Sequence, residues 1–234
     1  ITKIEEEAPE DHIVFTYLKL GKIEYNFGYR LINKMRDLGG KISYKTSQWG
    51  EEIPYEINIT YLDSLKSTFN GEEKFQIKRF ICAHTIMFAM EGIPAIYIHS
   101  FLGTKNDHKA IAAGEGNRSI NRFKWDKKDI NKNLADKNSN NFYIMSKLNS
   151  LLNIRSKQPA FHPNATQFTL NLGDEVFGLW RQDKKRKQSI FSIYNVTSKS
   201  VKLSLQKINL IETEKWIDLI SGEALKDIDD DILL

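Results

Sequence analysis

Three helices are predicted from apolar residues that recur every three or four positions. They cover residues 31–38, 71 to about 90, and 142–157. Gly39, Gly92 and Pro159 follow them in turn, and glycine and proline are residues that end helices. The second helix is apolar on nearly every side, which indicates burial between several neighbours. Asn70 and Glu73 have the spacing of a capping box at its start.

Strands and loops are predicted between these helices. Residues 41–46 predict a short strand, and residues 48–54 a loop. Residues 93–98 are apolar without interruption, which is typical of a strand covered on both faces in a parallel α/β sheet. In barrels of such strands the chemistry lies at the carboxyl ends, so His99 is a candidate site residue. Residues 103–133 are polar and predict a long functional loop.

Beyond residue 160 the apolar spacing changes to every second position. Five strand candidates follow, at residues 168–172, 176–180, 190–196, 201–205 and 216–220. Turn residues separate most of them, a pattern typical of an antiparallel β-sandwich. These patterns together predict the end of an α/β unit joined to a small all-β domain.

Composition narrows the class of protein. The chain has 234 residues, 41% hydrophobic and 27% charged, as expected for a folded protein. Its net charge of +4 comes from lysines scattered among acidic residues, so no nucleic-acid surface is expected. The run 184–187 predicts a solvated hairpin tip. One cysteine, Cys82, excludes an internal disulfide and favours a reducing, cytoplasmic compartment, and its environment predicts a small buried hydrophobe. No apolar stretch reaches the length of a membrane span.

Neither a metal site nor a cofactor is expected. His12, His84, His99 and His108 are too scattered for a ligand set, and His84 lies in an apolar helix as a core histidine would. The Gly-Glu-Gly segment at residues 114–116 lacks the third glycine of a dinucleotide-binding turn.

Several segments, in this order along the chain, resemble one family. They are residues 43–45, 54–65 with Tyr-Glu-Ile-Asn, 83–87, 91–100 with Gly-Ile-Pro-Ala-Ile-Tyr, 103–107, and 114–122 with Arg-Ser-Ile-Asn-Arg. Together they resemble the sucrose phosphorylase and glucosylglycerate phosphorylase subgroup of the α-amylase family of glycoside hydrolases. The resemblance covers roughly residues 40–165. It implies the last part of a (β/α)8 TIM barrel at residues 1–160, followed by a β domain at residues 161–234.

The resemblance also implies a retaining glucosyl transfer to phosphate. Two carboxylates about 5–5.5 Å apart carry out that reaction in retaining enzymes, one as nucleophile and one as acid. By the resemblance both would precede Ile1, so no catalytic residue is assigned here. A third acid is expected in a His-Asp-Gly segment, but residues 15–23 contain neither His nor Asp, and Asp11-His12 lies too early to replace them. The isolated chain is therefore expected to be inactive.

Five residues are predicted to touch substrate: Tyr55, Glu56, Arg118, Arg122 and His99. By the resemblance, Tyr55 and Glu56 line the acceptor or phosphate side, although Tyr55 could equally pack at a strand entrance. Guanidinium groups bind phosphate bidentately, so Arg118 or Arg122 could hold phosphate, or one could pair with a barrel carboxylate. Glu56 stands where sucrose-specific members tend to have glutamine, which favours a substrate such as glucosylglycerate over sucrose.

Two functions follow, in different classes. The first is a fragment of a glucoside phosphorylase that binds a small sugar and inorganic phosphate, with no nucleic acid or membrane partner. The alternative is a non-catalytic carbohydrate-binding or structural half-barrel, whose open strand edges would require the missing N-terminal half as a partner. Plain hydrolysis is a third possibility, which the arginine-bearing loop disfavours.

Overall fold

A computed structural model describes residues 22–68, 71–72, 74–208, 215–225 and 231–234. By their internal contacts the residues form two compact units. Among the described residues, the first unit joins those up to Ile77 with Tyr97–Phe142, and the second joins Lys78–Ile96 with those from Tyr143 onward. Each unit is thus built from two separate stretches of chain. Within the described ranges no helix is both long and apolar enough to cross a membrane.

The first unit consists of short elements around a β-hairpin. They are α1 (Lys22–Asp37), β1 (Lys41–Thr46), β2 (Glu52–Asn58), α2 (Tyr61–Ser64), β3 (Ser67–Thr68), β4 (Gly71–Glu72), α4 (Ile98–Phe101), α5 (His108–Ala112), a 3₁₀ helix (Asn117–Asn121) and α6 (Lys127–Ala135). β1 pairs with β2 and β3 with β4, both antiparallel. The predicted helix at residues 31–38 and the strand at residues 41–46 are confirmed. Gly39, with φ +86°, ends α1 in the left-handed conformation that favours glycine.

The second unit places a three-stranded sheet against helices. Its elements are α3 (Gln76–Ala89, whose first two residues belong to the first unit), α7 (Asn140–Ser156, whose first three do), a 3₁₀ helix (Pro159–Phe161), β5 (Thr166–Asn171), β6 (Val176–Gln182), β7 (Ser189–Asn195), β8 (Lys202–Ser204), a 3₁₀ helix (Leu205–Ile208) and β9 (Asp231–Leu233). The sheet order is β5-β6-β7, and β8 pairs with β9. Ile144 and Leu148 of α7 are fully buried, so the third predicted helix is confirmed.

Each face of this sheet packs on a separate apolar cluster. On one face Leu179 and Tyr194 pack with Ala89 at the end of α3 and with Phe161. On the other, Val176 packs with a group from the β8 region, consisting of Leu172, Leu203, Leu205 and Ile208. Burial on both faces explains why the apolar residues of β6 are not confined to alternate positions.

The run 184–187 lies at the exposed tip between β6 and β7, as predicted. Asp183 holds this tip because its carboxylate accepts hydrogen bonds from the backbone N–H groups of Lys185, Lys187 and Gln188, at 3.0, 2.6 and 2.7 Å.

Several predicted boundaries are wrong. The loop placed at residues 48–54 overlaps β2, which begins at Glu52. The long second helix begins at Gln76 rather than at residue 71, because Gly71 and Glu72 pair with β3 instead. The capping residues Asn70 and Glu73 lie outside the described residues. The strand candidate at residues 216–220 forms only a single bridge, between Ile217 and Ala224.

Two further predictions fail in residues 93–133. The apolar run 93–98 does not form a strand, and none of the described strands pairs with it. Its last residue, Ile98, is the first residue of α4. The predicted long loop at residues 103–133 contains α5, a 3₁₀ helix and α6. Asp107 and Asp126 cap the two α-helices at their N-termini. The Asp107 carboxylate accepts a hydrogen bond from the backbone N–H of Ala110, and the Asp126 carboxylate accepts one from that of Lys128.

Candidate functional site

A hydrogen-bonded ion pair joins β2 to the 3₁₀ helix at Asn117–Asn121 in the first unit. Arg118 Nε lies 3.0 Å from both carboxylate oxygens of Glu56. The side chain of Arg118 is 57% exposed and that of Glu56 is 25% exposed, so solvent reaches the pair. Glu56, and to a smaller extent Tyr55, raises the pKa of Arg118 above its ordinary value. The structure therefore brings three of the five predicted residues together.

A β-bulge explains why Tyr55 and Glu56 both reach Arg118. Ser43 pairs with Glu56, but the next residue, Tyr44, pairs with Pro54, so Tyr55 has no partner on β1. In a regular strand neighbouring side chains point to opposite faces, whereas a bulge redirects one of them. Bulges are common next to active sites. The sequence carries no signal for this bulge.

Amides and a hydroxyl surround the pair and fix its position. Asn58 Nδ2 donates to Ser43 Oγ at 3.0 Å and to Glu56 Oε2 at 3.4 Å. Asn117 Nδ2 reaches the same Ser43 Oγ at 3.2 Å. Asn58 is 2% exposed, which makes its hydrogen bonds costly to lose. These three residues were not predicted, although the Tyr-Glu-Ile-Asn segment contains one of them.

Ile120, which lies in the same 3₁₀ helix as Arg118, anchors that helix. Ile120 is fully buried, and its carbonyl accepts the Asp107 N–H at 2.8 Å. Gly116, with φ +85°, precedes this helix in a conformation that favours glycine. Arg118 thus projects from a segment held by packing on one side and by Glu56 on the other.

His99 and Arg122 do not join the ion pair. His99 belongs to α4, not to the end of a strand, and its Nδ1 lies 3.3 Å from Thr104 Oγ1. Trp125 Nε1 donates to the same hydroxyl at 2.9 Å, and the His99 ring packs edge-on against Tyr97. Partial burial lowers the pKa of His99. Arg122 is exposed and makes no side-chain hydrogen bond with another described residue.

Tyr97 connects the two groups of polar residues. Its hydroxyl lies 3.5 Å from the carbonyl of Asn121, at the end of the 3₁₀ helix that carries Arg118. Tyr97 is also 52% exposed, so its ring is accessible. Tyr97, Thr104 and Trp125 were missed as candidates, and only their position near Gly-Ile-Pro-Ala-Ile-Tyr could have indicated them.

His84 is a core residue, as predicted. It is 4% exposed, its Nδ1 lies 2.9 Å from the Phe80 carbonyl, and burial lowers its pKa. Cys82 is only half-buried, although burial raises the pKa of its thiol. The described residues contain no group of three His, Cys, Asp or Glu side chains placed to hold a metal. Asp11, His12 and residues 15–21 lie outside the described part of the chain.

Comparison with known proteins identifies relatives of this chain. No family model matches. The chain is 34% identical to glucosylglycerate phosphorylase of Allomeiothermus silvanus over 187 residues, which cover 80% of this chain and 33% of the relative. It is 28% identical to glucosylglycerate phosphorylase of Escherichia coli K12, over 82% of this chain and 34% of that protein. The chain thus spans about a third of the length of the curated relatives it matches.

A solved structure shows the fold. Sucrose 6F-phosphate phosphorylase of Thermoanaerobacter thermosaccharolyticum superimposes with a TM-score of 0.52 over 79% of this chain and 37% of that one, at 19% identity. The chain therefore has part of the fold of the α-amylase family. Its curated relatives are glucosylglycerate and sucrose phosphorylases, the subgroup that the sequence motifs had indicated.

Proposed function

We propose that this chain supplies the acceptor-side and phosphate-side loops of a retaining glucoside phosphorylase. The reaction would be phosphorolysis of glucosylglycerate or sucrose to give glucose 1-phosphate, with the two catalytic carboxylates outside this chain. The observation that carries the proposal is the exposed Arg118–Glu56 pair beside the bulged Tyr55. The relatives, which are phosphorylases by name, support the reaction class.

The ion pair gives Arg118 a defined role in this proposal. Glu56 engages Nε, which orients the guanidinium plane. A guanidinium fixed in this way presents its terminal nitrogens to an anion, either phosphate or an acceptor carboxylate. Tyr55 and Tyr97 would provide aromatic surface for a sugar ring. Arg122 would add a second, unpaired positive charge, and His99 would hold Thr104 near the same loop.

The acidic residue at position 56 bears on the choice of substrate. Glu56 orients the Arg118 guanidinium through Nε, and a guanidinium held in this way can donate hydrogen bonds to the carboxylate of glucosylglycerate, a group that sucrose lacks. We therefore assign glucosylglycerate rather than sucrose as the substrate that this loop fits. Glu56→Gln should shift the ratio of the two phosphorolysis rates toward sucrose.

The proposed architecture is the last part of a (β/α)8 barrel at residues 1–160, followed by a β-sandwich at residues 161–234. The apolar residues near the site fit an incomplete barrel, since Ile93 is 83% exposed and Ile98 is 56% exposed. Such side chains are normally covered in a closed parallel sheet. The same exposure favours the second candidate, a non-catalytic half-barrel that requires the N-terminal half as a partner.

Phosphorolysis assays separate these functions. Glucose 1-phosphate is measured from glucosylglycerate and from sucrose, with the chain alone and with the upstream two thirds of the A. silvanus enzyme supplied in trans. Activity only in the mixture, reduced by Arg118→Lys and unaffected by the exposed control Lys128→Gln, is expected. Activity of the chain alone would refute the absence of catalytic carboxylates. A stable but inactive complex would favour the structural half-barrel.

A further inference from the structure

A serine on β1 lies opposite Glu56 and receives hydrogen bonds from two asparagines. Ser43 pairs with Glu56 across the hairpin, and side chains directly opposite each other on antiparallel strands share one face. Asn58 Nδ2 lies 3.0 Å from Ser43 Oγ, and Asn117 Nδ2 lies 3.2 Å from the same oxygen. Ser43 therefore belongs to the surroundings of the Arg118–Glu56 pair.

The orientation of both amides follows from their other neighbours, since the nitrogen of an amide donates and its oxygen accepts. Asn58 Nδ2 lies 3.4 Å from Glu56 Oε2, and Asn117 Nδ2 lies 3.3 Å from the carbonyl of Ile42. A carboxylate and a backbone carbonyl only accept, so each faces an amide nitrogen and not an amide oxygen. Each amide thus has one hydrogen for that acceptor and a second hydrogen for Ser43 Oγ.

These two hydrogen bonds leave the Ser43 hydroxyl with only its hydrogen to offer. A serine oxygen has two lone pairs and one hydrogen, and the two asparagines occupy both lone pairs. The hydroxyl can therefore only donate. Among the residues that the structure describes, none accepts this hydrogen, and Ser43 is half-buried, so solvent reaches it.

The Arg118 guanidinium, near Ser43, also only donates. The Glu56 carboxylate already pairs with Arg118 Nε and accepts from Asn58. Asn117, the residue before Arg118 in its 3₁₀ helix, holds Ser43 next to this segment. Groups that only donate are satisfied by a ligand whose atoms only accept. The oxygens of a phosphate or a carboxylate meet this condition, whereas a sugar hydroxyl brings a hydrogen of its own.

We propose that Ser43 is a further binding residue of this site, whose hydroxyl donates a hydrogen bond to an oxyanion held by Arg118. The oxyanion is inorganic phosphate or the carboxylate of glycerate, so this assignment rests on the proposed function. Asn58 and Asn117 are positioning residues, because they fix the direction of the hydroxyl without touching the ligand. Neither asparagine is charged, so they make Ser43 a donor without repelling the anion.

Titrations of the full chain at constant ionic strength, followed by NMR chemical shifts, test this role of Ser43. Inorganic phosphate and D-glycerate are added separately, with glycerol as a neutral ligand that should not saturate. Saturable binding of at least one anion is expected, and the anion that binds shows which of the two the site holds. Ser43→Ala should weaken this binding about tenfold or more, as expected for a hydrogen bond to a charged group. Ser43→Thr, which keeps a hydroxyl, should bind as the unchanged chain does.

Ser64→Ala is the matched control, because Ser64 lies in the same unit and its hydroxyl already donates to the Tyr61 carbonyl at 2.7 Å. It should leave the affinity unchanged. Thermal unfolding shows whether Ser43→Ala remains folded. If it does not, Asn117→Ala takes its place, since it keeps Ser43 but removes one of the two donors that fix the hydroxyl. That variant should weaken binding severalfold.

Absence of saturable anion binding, or equal affinity of the folded variant and the unchanged chain, would overturn the proposal. A loss that Ser43→Thr does not restore would also overturn it, because the serine would then serve packing alone. Failure of the proposed function would look different. Anion binding that depends on Ser43, without glucose 1-phosphate formation in the mixture with the upstream part of the A. silvanus enzyme, would refute phosphorolysis and leave the oxyanion site in place.

Discussion

Replacing Arg181 with methionine should destabilise the second unit. Arg181 is fully buried, and its terminal nitrogens donate to the Ala89 carbonyl at 2.9 Å and to the His162 carbonyl at 3.0 Å. Ala89 is the last residue of α3, so the guanidinium satisfies a carbonyl at a helix C-terminus, where positive charge is also favoured. Because the guanidinium is buried, desolvation lowers the pKa of Arg181.

Two opposing contributions determine how much Arg181→Met changes the free energy of unfolding. A buried acceptor left without a donor costs about 1–3 kcal/mol, so leaving the carbonyls of both Ala89 and His162 without a donor costs about 2–6 kcal/mol. Removing a desolvated charge, which pairs with no carboxylate in the described part of the chain, returns some of this cost. We expect Arg181→Met to lower the free energy of unfolding by about 2–4 kcal/mol.

Urea denaturation followed by circular dichroism measures this change. Arg122→Met is the matched control, because that arginine is exposed, and it should shift the midpoint little. An Arg181→Met chain as stable as the unchanged chain would refute the reasoning, since it would mean that the cost of burying the charge cancels both hydrogen bonds.

Three further predictions concern the same unit. Burial lowers the pKa of His84 below its ordinary value of 6.5, so below that pH the unfolded state binds more protons than the folded state. The free energy of unfolding should therefore fall as the pH decreases, by at most about 1.4 kcal/mol per pH unit for this group. His84→Leu should flatten that fall between pH 7 and 5, whereas a slope equal to that of the unchanged chain would assign the effect to other groups. Gly178→Ala would place a Cβ 2.6 Å from Leu172 Cδ1, which should cost about 1–3 kcal/mol in the unfolding free energy; no loss would show that Leu172 moves aside. Burial raises the pKa of Cys82, so iodoacetamide should modify it slowly at pH 8 until urea unfolds the chain, and equally fast labelling without urea would contradict this.

Helices and strands with strong periodicity were predictable from the sequence. Residues 31–38, 41–46 and 142–157 carry apolar positions at a single clear spacing, and each forms the expected element. The three central strands of the second unit were also found, since turn residues bound each of them. Family motifs further placed Tyr55, Glu56 and Arg118 in one group, and the structure joins them by hydrogen bonds.

Features that depend on neighbours were not predictable in the same way. The run 93–98 is apolar enough for a buried strand, but a strand requires a partner, and no other described strand pairs with it. The polar stretch 103–133 reads as a loop, although Asp107 and Asp126 cap helices within it. The bulge at Tyr55 depends on the register between two strands, and no single residue determines that register.

The interleaving of the two units has a consequence for synthesis on the ribosome. The helix at Gln76–Ala89 emerges before the residues of the first unit that follow it, Tyr97–Phe142, and well before β5–β7. Ala89, at the end of this helix, therefore lacks its packing partners Phe161, Leu179 and Tyr194 while at least 72 further residues (from 89 to 161) are added, which takes several seconds at about 5–20 residues per second. During that interval the nascent chain exposes an apolar helix, and a chaperone that binds such helices would be expected to act at this stage.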